Sequence, residues 1–496
     1  MLGGDAGRVG ARIVDRAAVK QSLEREVKLD IGPRFRLPEL PGRSLAPRVL
    51  VSTYYDTPDY RLARAGVTMR HRTTAGRHWW HVKLPRGAAR LEIERAGSPS
   101  RVPRDVERLL TAYTRTAPLA PIATLRTRRS GVRVREGGKP VAEVVLDSVA
   151  VLDGRRIKRR FREVEVELIG DGDPENLARV VDTLRARGAT ESDGRPKVFR
   201  ALGLDVSPGG RAPEPTTPIE RVVAAMRVQL EGLRAHDPGT RLGIDPEELH
   251  QMRVAVRRLR AILQVARPML GGASVHAPRE ELAWLGGVLG GRRDVDVLHE
   301  HLRSELAALA PSDRRVGLRL LRRLERARTR SRAELLAALD SPRYLRLLDR
   351  LDEMIASPPD VETEVSLRDL GARAFRSLRR AVDALPDAPS DEDLHAVRIK
   401  AKRARYATEL ASSEVGRPAE RLGGRLKKLQ EILGAHQDAV VAEVRLRELA
   451  GEASEPRTGL VAGLLVERQR ARRLAARAAF EERWPKVERR GRKTWR

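Results

Sequence analysis

The period of the hydrophobic pattern changes once along this chain, at a segment that sustains neither a strand nor a helix. Residues 207–218 read Ser-Pro-Gly-Gly-Arg-Ala-Pro-Glu-Pro-Thr-Thr-Pro. Proline removes a backbone donor and glycine loosens the chain, so this stretch is read as a linker. Before it, apolar and polar residues alternate, as in half-buried strands. Such runs span 24–29, 66–72, 78–84, 91–94, 131–135, 141–146 and 163–168, and turn pairs such as Gly137-Gly138 and Asp153-Gly154 separate some of them. One helical pattern, 174–187, sits among them. After the linker, from Ile219 to about Arg483, the period becomes 3.6 in a Leu-, Ala-, Arg- and Glu-rich sequence. The expected fold is α+β and multidomain: a tail over 1–19, a β-rich domain over 20–205, a linker over 206–217, an all-helical domain over 218–483, and a short, poorly ordered basic tail over 484–496.

The predicted strands carry charge on one face. Glu24, Glu26 and Lys28 alternate, so in a strand all three point the same way. Arg70 and Arg72 repeat the spacing, as do Glu92 and Glu94. Glu163, Glu165 and Glu167 do so again, with Val164, Val166 and Leu168 on the opposite face. A solvated face accounts for any one of these strands. A closed barrel with a charged lumen accounts for all of them together. Carboxylates in a lumen can hold a hard divalent cation such as Mg²⁺ or Mn²⁺, and Arg and Lys can clamp phosphate oxygens. Metal plus cationic clamp is what phosphoryl transfer requires.

The helical half contains a duplication. His250, Arg253, Arg257 and Arg260 recur as His395, Arg398, Lys402 and Arg405, at a constant offset of 145. Steps of 3, 4 and 3 put each set on one helix stripe. Beside it runs an apolar stripe: Leu249, Met252, Val256 and Leu259 in the first copy, and Leu394, Val397, Ala401 and Ala404 in the second. A second block follows at an offset of 144, Leu285–Gly290 with Asp294 and Leu429–Gly434 with Asp438. These aspartates are expected to bond arginine or cap a turn. A basic stripe is ordinarily a solvated face, but uncompensated like charge at these spacings is mildly destabilising. Its presence in both copies points to a polyanionic partner.

Composition agrees. The net charge is +29, and only 12 of the 97 basic residues are lysine. The planar guanidinium fork pairs bidentately with phosphate. Cysteine is absent, which excludes disulfides, thiolate catalysis and Cys-based zinc sites and fits a cytoplasmic setting. Neither a secretory signal over residues 1–20 nor a membrane-length apolar stretch is found, and no membrane association is expected. P-loop, HExxH and GxSxG patterns are missing. The basic stripes lack interleaved aromatics, so nucleic acid is not expected as a specific partner.

Glu24-Arg-Glu-Val-Lys28 resembles the ExExK signature of the CYTH superfamily, the triphosphate tunnel metalloenzymes. The resemblance extends over residues 20–205. It takes in 54–58 (Tyr-Tyr-Asp-Thr-Pro), 69–72 (Met-Arg-His-Arg), 80–84 (Trp-His-Val-Lys-Leu), 91–94 (Leu-Glu-Ile-Glu), an Arg-rich strand at 126–133, Asp147, 163–167 and Lys197. It implies an antiparallel eight-stranded tunnel with flanking helices that hydrolyses triphosphate-type substrates with Mg²⁺ or Mn²⁺. By the same resemblance Glu24, Glu26, Glu165 and Glu167 would hold metal, with Glu163 able to replace either of the last two. Lys28, Arg70, Arg72, Lys83 and Lys197 would hold the phosphate chain. Of Arg126, Arg128, Arg129 and Arg133, Arg128 is chosen for the lumen. The implied catalytic set is Glu24, Glu26, Lys28 and Asp147, the last helping with metal or orienting water.

The duplicated His-x-x-Arg-x-x-x-Arg/Lys block resembles the CHAD domain, the conserved histidine α-helical domain, over roughly 218–483. That resemblance implies two helical bundles whose facing basic helices bind inorganic polyphosphate through His250, Arg253, Arg257, Arg260, His395, Arg398, Lys402 and Arg405. The functional expectation is an inorganic triphosphatase of tripolyphosphate or polyphosphate, associated with polyphosphate granules. The alternatives are a non-catalytic polyphosphate-binding or granule protein, a class IV type adenylyl cyclase, and general nucleic-acid binding from charge alone.

Overall fold

The computed structural model describes residues 19–87, 89–170, 173–204, 214–359, 361, 364–451 and 455–496. Nearly all of the tail expected over 1–19, and residues 206–213 of the expected linker, lie outside these. The chain divides into two compact units, with the boundary at Glu214/Pro215.

The first unit is one antiparallel sheet. Its strands are β1 (Val19–Glu24), β2 (Glu26–Asp30), β3 (Gly42–Asp56), β4 (Thr68–Thr74), β5 (Arg77–Arg86), β6 (Ala89–Ala96), β7 (Ala120–Glu136), β8 (Lys139–Asp153), β9 (Arg156–Leu168) and β10 (Thr190–Glu191). Short helices α1 (Arg61–Arg64), α2 (Arg104–Leu109) and α3 (Thr111–Thr114) precede β7, while α4 (Pro174–Arg185) and α5 (Lys197–Leu202) follow β9. The ladder runs β1-β6-β5-β4-β3-β7-β8-β9-β2-β10. The eight-stranded closed barrel expected above is therefore replaced by ten strands in an open order. The extra strands have local causes: the two-residue β10 adds onto β2, and another segment is split at Arg25. This residue divides one extended segment into β1, which pairs with β6, and β2, which pairs with β9. The chain itself thus links the β1 end of the ladder to β2, next to its other end, with the Arg25 carbonyl accepting from the Leu168 amide at 2.9 Å.

Alternation decides what each face does. Leu29, Val134, Ala142, Val144, Val164 and Val166 pack on the outside against Val180, Val181 and Leu184 of α4. Their sequence neighbours, Lys28, Glu143 and Glu165 among them, line the opposite, inner face. One end of that interior is apolar, filled by Tyr54, Leu125, Val149, Val151 and the α5 residues Val198 and Phe199. Farther along, Gly131 lets β7 and β8 approach, since a Cβ would stand 2.2 Å from the Val144 carbonyl oxygen.

The second unit is all helical: α6 (Pro218–Leu242), α7 (Pro246–Val265), α8 (His276–Ala307), α9 (Pro311–Leu339), α10 (Pro342–Ala356), α11 (Leu367–Asp383), α12 (Asp391–Val415), α13 (Arg417–Gly451) and α14 (Pro456–Thr494). The duplication is structural as well. The packing series α6–α7–α8–α9 is repeated as α11–α12–α13–α14, and α7 meets α12. Capping boxes start α6, α11 and α12, at Thr217/Glu220, Ser366/Asp369 and Ser390/Asp393. The segment 484–496, expected to be a poorly ordered basic tail, is instead helical up to Thr494 as the last part of α14, which continues through Pro485. Trp484, Val487, Gly491 and Thr494 form a buried stripe of helical period, and Gly491 lies so close to Phe375 of α11 that a Cβ would clash with the ring. Packing of that stripe outweighs the hydrogen bond that proline removes. No helix among the described residues is long and apolar enough to cross a membrane.

Candidate functional site

The inner face of the sheet surrounds a cavity of about 150 Å³, lined by side chains from β1 to β9 and by Pro196 and Lys197 at the start of α5. Glu24, Glu26, Lys28, Arg70, Arg72, Lys83, Glu165, Glu167 and Lys197 all line it. Strand register explains the convergence. Lys28 stands opposite Glu165 across β2 and β9, and Lys83 opposite Glu92 across β5 and β6. Lys28 Nζ lies 3.5 Å from both Glu26 and Glu165. Lys83 pairs with Glu24 and lies 3.6 Å from Glu92. Arg70 donates to the Tyr54 hydroxyl at 3.3 Å and stands 3.7 Å from Glu92. Arg72 donates to Ser52 at 3.2 Å and makes no ion pair among the described residues.

Two expectations are corrected. Arg128, chosen for the lumen, is exposed on the outer face with Arg126, and Arg129 is the lumen residue. Leu125 and Thr127 are buried on the inner side of β7, and Arg129 continues that parity. Asp147 does not line the cavity. It is fully buried and accepts from Arg129 Nε at 2.8 Å and Nη2 at 2.6 Å, with Lys197 3.0 Å away. Both cations therefore engage its carboxylate, on the inner parity of β8 but behind the cavity wall. Lys197 also reaches Glu163 at 2.7 Å and Glu165 at 2.6 Å.

The electrostatics are crowded. Burial and a hydrogen bond shared with Glu92 raise Glu24 to about 8, so the pair holds a proton at neutral pH. Burial alone would raise Glu165, but Lys197, Lys28 and Arg129 hold it well below the usual carboxylate range. Burial, and then Arg70 and Arg129 beside it, push Arg72 down to about 9. A buried guanidinium weakened by other cations is a seat for an anion. Among the described residues, two groups bring three possible metal-donor atoms within 4.8 Å of one another: Asp147, Glu163 and Glu165, and His81, Glu92 and Glu94. Lys197 already sits among the first group. Of the four expected metal ligands only Glu165 belongs to either. The sequence shows the Glu92/Glu94 alternation without a role for either residue, offers Arg129 as one of four arginines, and gives no role to His81 or Glu143. Strand parity could have found each, since His81 shares a face with Lys83 and Glu143 shares one with Asp147.

In the helical unit the two basic stripes converge where α7 meets α12. Arg257 donates to the Tyr406 hydroxyl at 2.8 Å, across the two copies. Arg253 bonds Asp294 at 2.9 Å and lies against Gly290, while Arg398 lies against Gly434, the equivalent glycine. Burial, and then Arg398, Arg257 and Arg253, push Lys402 down to about 7. Burial also lowers His250, with Arg293, Arg257 and Arg253 adding to the effect against Glu247. His395 is fixed by Gln437 at 2.6 Å. The outer members differ. Arg405 is engaged by Glu409 at 2.7 Å and Gln430 at 3.2 Å, and Arg260 is exposed.

The comparisons with known proteins follow the same division. The CYTH domain matches residues 22–193 and the CHAD domain residues 224–447. The uncharacterized protein Rv2226 of Mycobacterium tuberculosis is 32% identical over 464 residues, covering 86% of this chain and 89% of that protein. Among solved structures, PptA from Streptomyces chartreusis is 27% identical, covering 54% of this chain and 98% of its own, at a TM-score of 0.47. The CHAD domain from the plant Ricinus communis is 29% identical, covering 55% and 97%, at 0.45. With a CYTH domain in its β-rich unit and a CHAD domain in its helical unit, the chain belongs to the CYTH and CHAD domain families.

Proposed function

We propose that the β-rich unit hydrolyses a short linear phosphate chain, inorganic triphosphate or the end of a polyphosphate, and that the helical unit binds inorganic polyphosphate. The observation that carries the reading is the mixed lumen, where Lys28, Arg70, Arg72 and Lys83 share one cavity with Glu24, Glu26, Glu165 and Glu167. The donors fit a hard divalent ion, Mg²⁺ or Mn²⁺, because they are carboxylate oxygens. Crowding supports the fit: two carboxylates that retain a proton near pH 8 can exchange it for a cation. Glu24, Glu26, Glu165 and Glu167 are the residues proposed to hold it. Such an ion, when bound, neutralises charge on the phosphoryl oxygens and lowers the pKa of water. The chain's own part is positioning: Arg70 and Arg72 take phosphate oxygens, Lys28 and Lys83 balance them, and Asp147 holds Arg129 and Lys197 in place.

In the helical unit, Arg253, Arg257, Arg398 and Lys402 form the centre of the polyphosphate surface, with His250 and His395 flanking it and Arg260 and Arg405 at its margins. Linking two sites on one chain raises the effective concentration of a shared polymer. A cytoplasmic location and association with polyphosphate granules belong to the same proposal.

One observation favours a second, non-catalytic reading: Lys28, Lys83, Arg129 and Lys197 are all already paired with carboxylates. Phosphate release from tripolyphosphate with Mg²⁺ or Mn²⁺ separates the two readings. Turnover that Glu24→Ala with Glu26→Ala abolishes supports hydrolysis. Binding of long polyphosphate without any release supports the second, and cyclic AMP formed from ATP would make the tunnel a cyclase instead.

A further inference from the structure

The second of the two donor groups has a composition unlike the rest of the lumen. β5 and β6 pair with His81 directly opposite Glu94 and Lys83 opposite Glu92, so the imidazole and both carboxylates rise from the same patch of wall. His81 Nδ1 lies 3.1 Å from Glu92 Oε1 and 3.3 Å from Glu94 Oε1. One N–H donates fully to one acceptor, yet two carboxylates crowd this nitrogen. Adjacent donors around an ion with bonds of about 2.1 Å stand about 3.0 Å apart in octahedral and about 3.4 Å apart in tetrahedral geometry. Both observed separations fall in that interval. Lys83 and Arg70 stand 3.6 and 3.7 Å from Glu92, beyond hydrogen-bonding distance, while Glu24 shares a hydrogen bond with it. His81 is buried and, with its pKa pushed down to about 4 chiefly by that burial, carries a neutral ring at pH 7, the form that ligates metal.

We propose that His81, Glu92 and Glu94 form a separate nitrogen-containing metal site in the lumen wall, one that takes a transition-metal divalent ion (Mn²⁺, Co²⁺ or Zn²⁺) in preference to Mg²⁺. Imidazole suits such ions, whereas Mg²⁺ keeps an all-oxygen octahedron. The inference rests on the metal-assisted reading for its role in the tunnel, but the site's existence is tested without turnover.

The experiment titrates the full chain with Co²⁺ in phosphate-free buffer, follows visible absorption of the ion, and repeats the titration with excess Mg²⁺. Expected are a Co²⁺ spectrum with nitrogen ligation that Mg²⁺ does not displace, and a loss of Co²⁺ affinity on the order of tenfold or more in His81→Gln. Glu94→Gln, whose side chain is one-third exposed and tolerates change, should lose affinity similarly. Circular dichroism verifies the fold of each variant. Unchanged Co²⁺ affinity in either folded variant overturns the site, as does displacement of Co²⁺ by Mg²⁺. Tripolyphosphate turnover persisting beside that result would leave the hydrolase reading standing, whereas His81-dependent Co²⁺ binding without any turnover would sink the hydrolase reading and keep the site.

Discussion

Replacing Lys197 by methionine removes one ammonium and keeps most of the stem. Its Nζ contacts Glu165, Glu163 and Asp147 at 2.6, 2.7 and 3.0 Å, and Glu163 and Asp147 are fully buried. Removing one partner of a buried ion pair costs about 3–5 kcal/mol. Each carboxylate keeps a second partner, Arg129 for Asp147 and Glu165 and Arg200 for Glu163. The expected loss therefore lies at the lower end, about 3 kcal/mol at a pH of about 7.5. Its pH dependence has a definite sign. Burial alone would raise Asp147 and Glu165, but Lys197 foremost holds both below their ordinary values, followed by Arg129 at Asp147 and by Lys28 and Arg129 at Glu165. Their stabilisation is thus present above the unfolded carboxylate pKa and is lost as pH falls through the folded one. Without Lys197 the folded pKa values rise, so the deficit of the variant shrinks as pH is lowered from about 7.5 to about 4.5. Urea unfolding with hydrogen exchange on the β7–β9 amides reads both quantities. A loss under about 1 kcal/mol, or a deficit independent of pH, would refute the claim that Lys197 compensates these three carboxylates.

Arg128→Ala should change stability by no more than about 0.5 kcal/mol, whereas Arg129→Ala should cost about 3 kcal/mol, because Asp147 loses its bidentate partner and keeps Lys197; thermal or urea unfolding compares the two. Lys402 is neutral in the free protein above a pH of about 7 and takes up a proton when a polyanion binds. The logarithm of polyphosphate affinity should therefore fall by up to about one per pH unit above that point, and Lys402→Arg should flatten the slope, as read by calorimetric titration at fixed salt. Gly491→Ala places a Cβ 1.9 Å from the Phe375 ring, and the overpacking should cost about 1–3 kcal/mol in the helical unit, measured by chemical denaturation.

The parts of the fold that were legible in the sequence were those where one face is buried and nothing interrupts the period. β9 and β2 are of that kind, and their alternation put Glu26 and Lys28, and Glu165 and Glu167, on one face, as they are in the cavity. β3 was missed because Pro47 and a register shift between Leu45 and Arg48 break its alternation. The strand count failed at Arg25 for a similar reason, since one extended run is shared between two ladder neighbours. Arg128 and Arg129 are adjacent and chemically identical, so only the parity of Leu125 and Thr127 tells inside from outside. The end of α14 was hidden by Pro485 and by basic residues that mask a stripe of four small or apolar positions. The duplicated helical block was readable because its offset is constant and its charge is repeated.

The two units differ in how they compensate charge, and that explains why one of them could be read further than the other. Around the tunnel cavity, lysines and arginines are interleaved with almost as many glutamates, and Lys28, Lys83, Arg129 and Lys197 each have a carboxylate within 3.5 Å. Such a lumen exerts little net pull on a highly charged anion, so a phosphate chain enters it favourably only with a cation that takes up the freed carboxylates. A sequence shows which charges alternate but not which of them meet, because pairing across β2 and β9 or β5 and β6 is a matter of register. In the helical unit the convergent stripe has few acids beside it, chiefly Asp294 near Arg253 and Asp438 near Arg398. Burial, and then the mutual repulsion of its cations, drives Lys402 toward neutrality. An uncompensated cluster of this kind is costly in isolation and gains from any polyanion long enough to span both copies. Repetition of the same pattern 145 residues apart made the paired basic stripes visible before the helices were placed side by side.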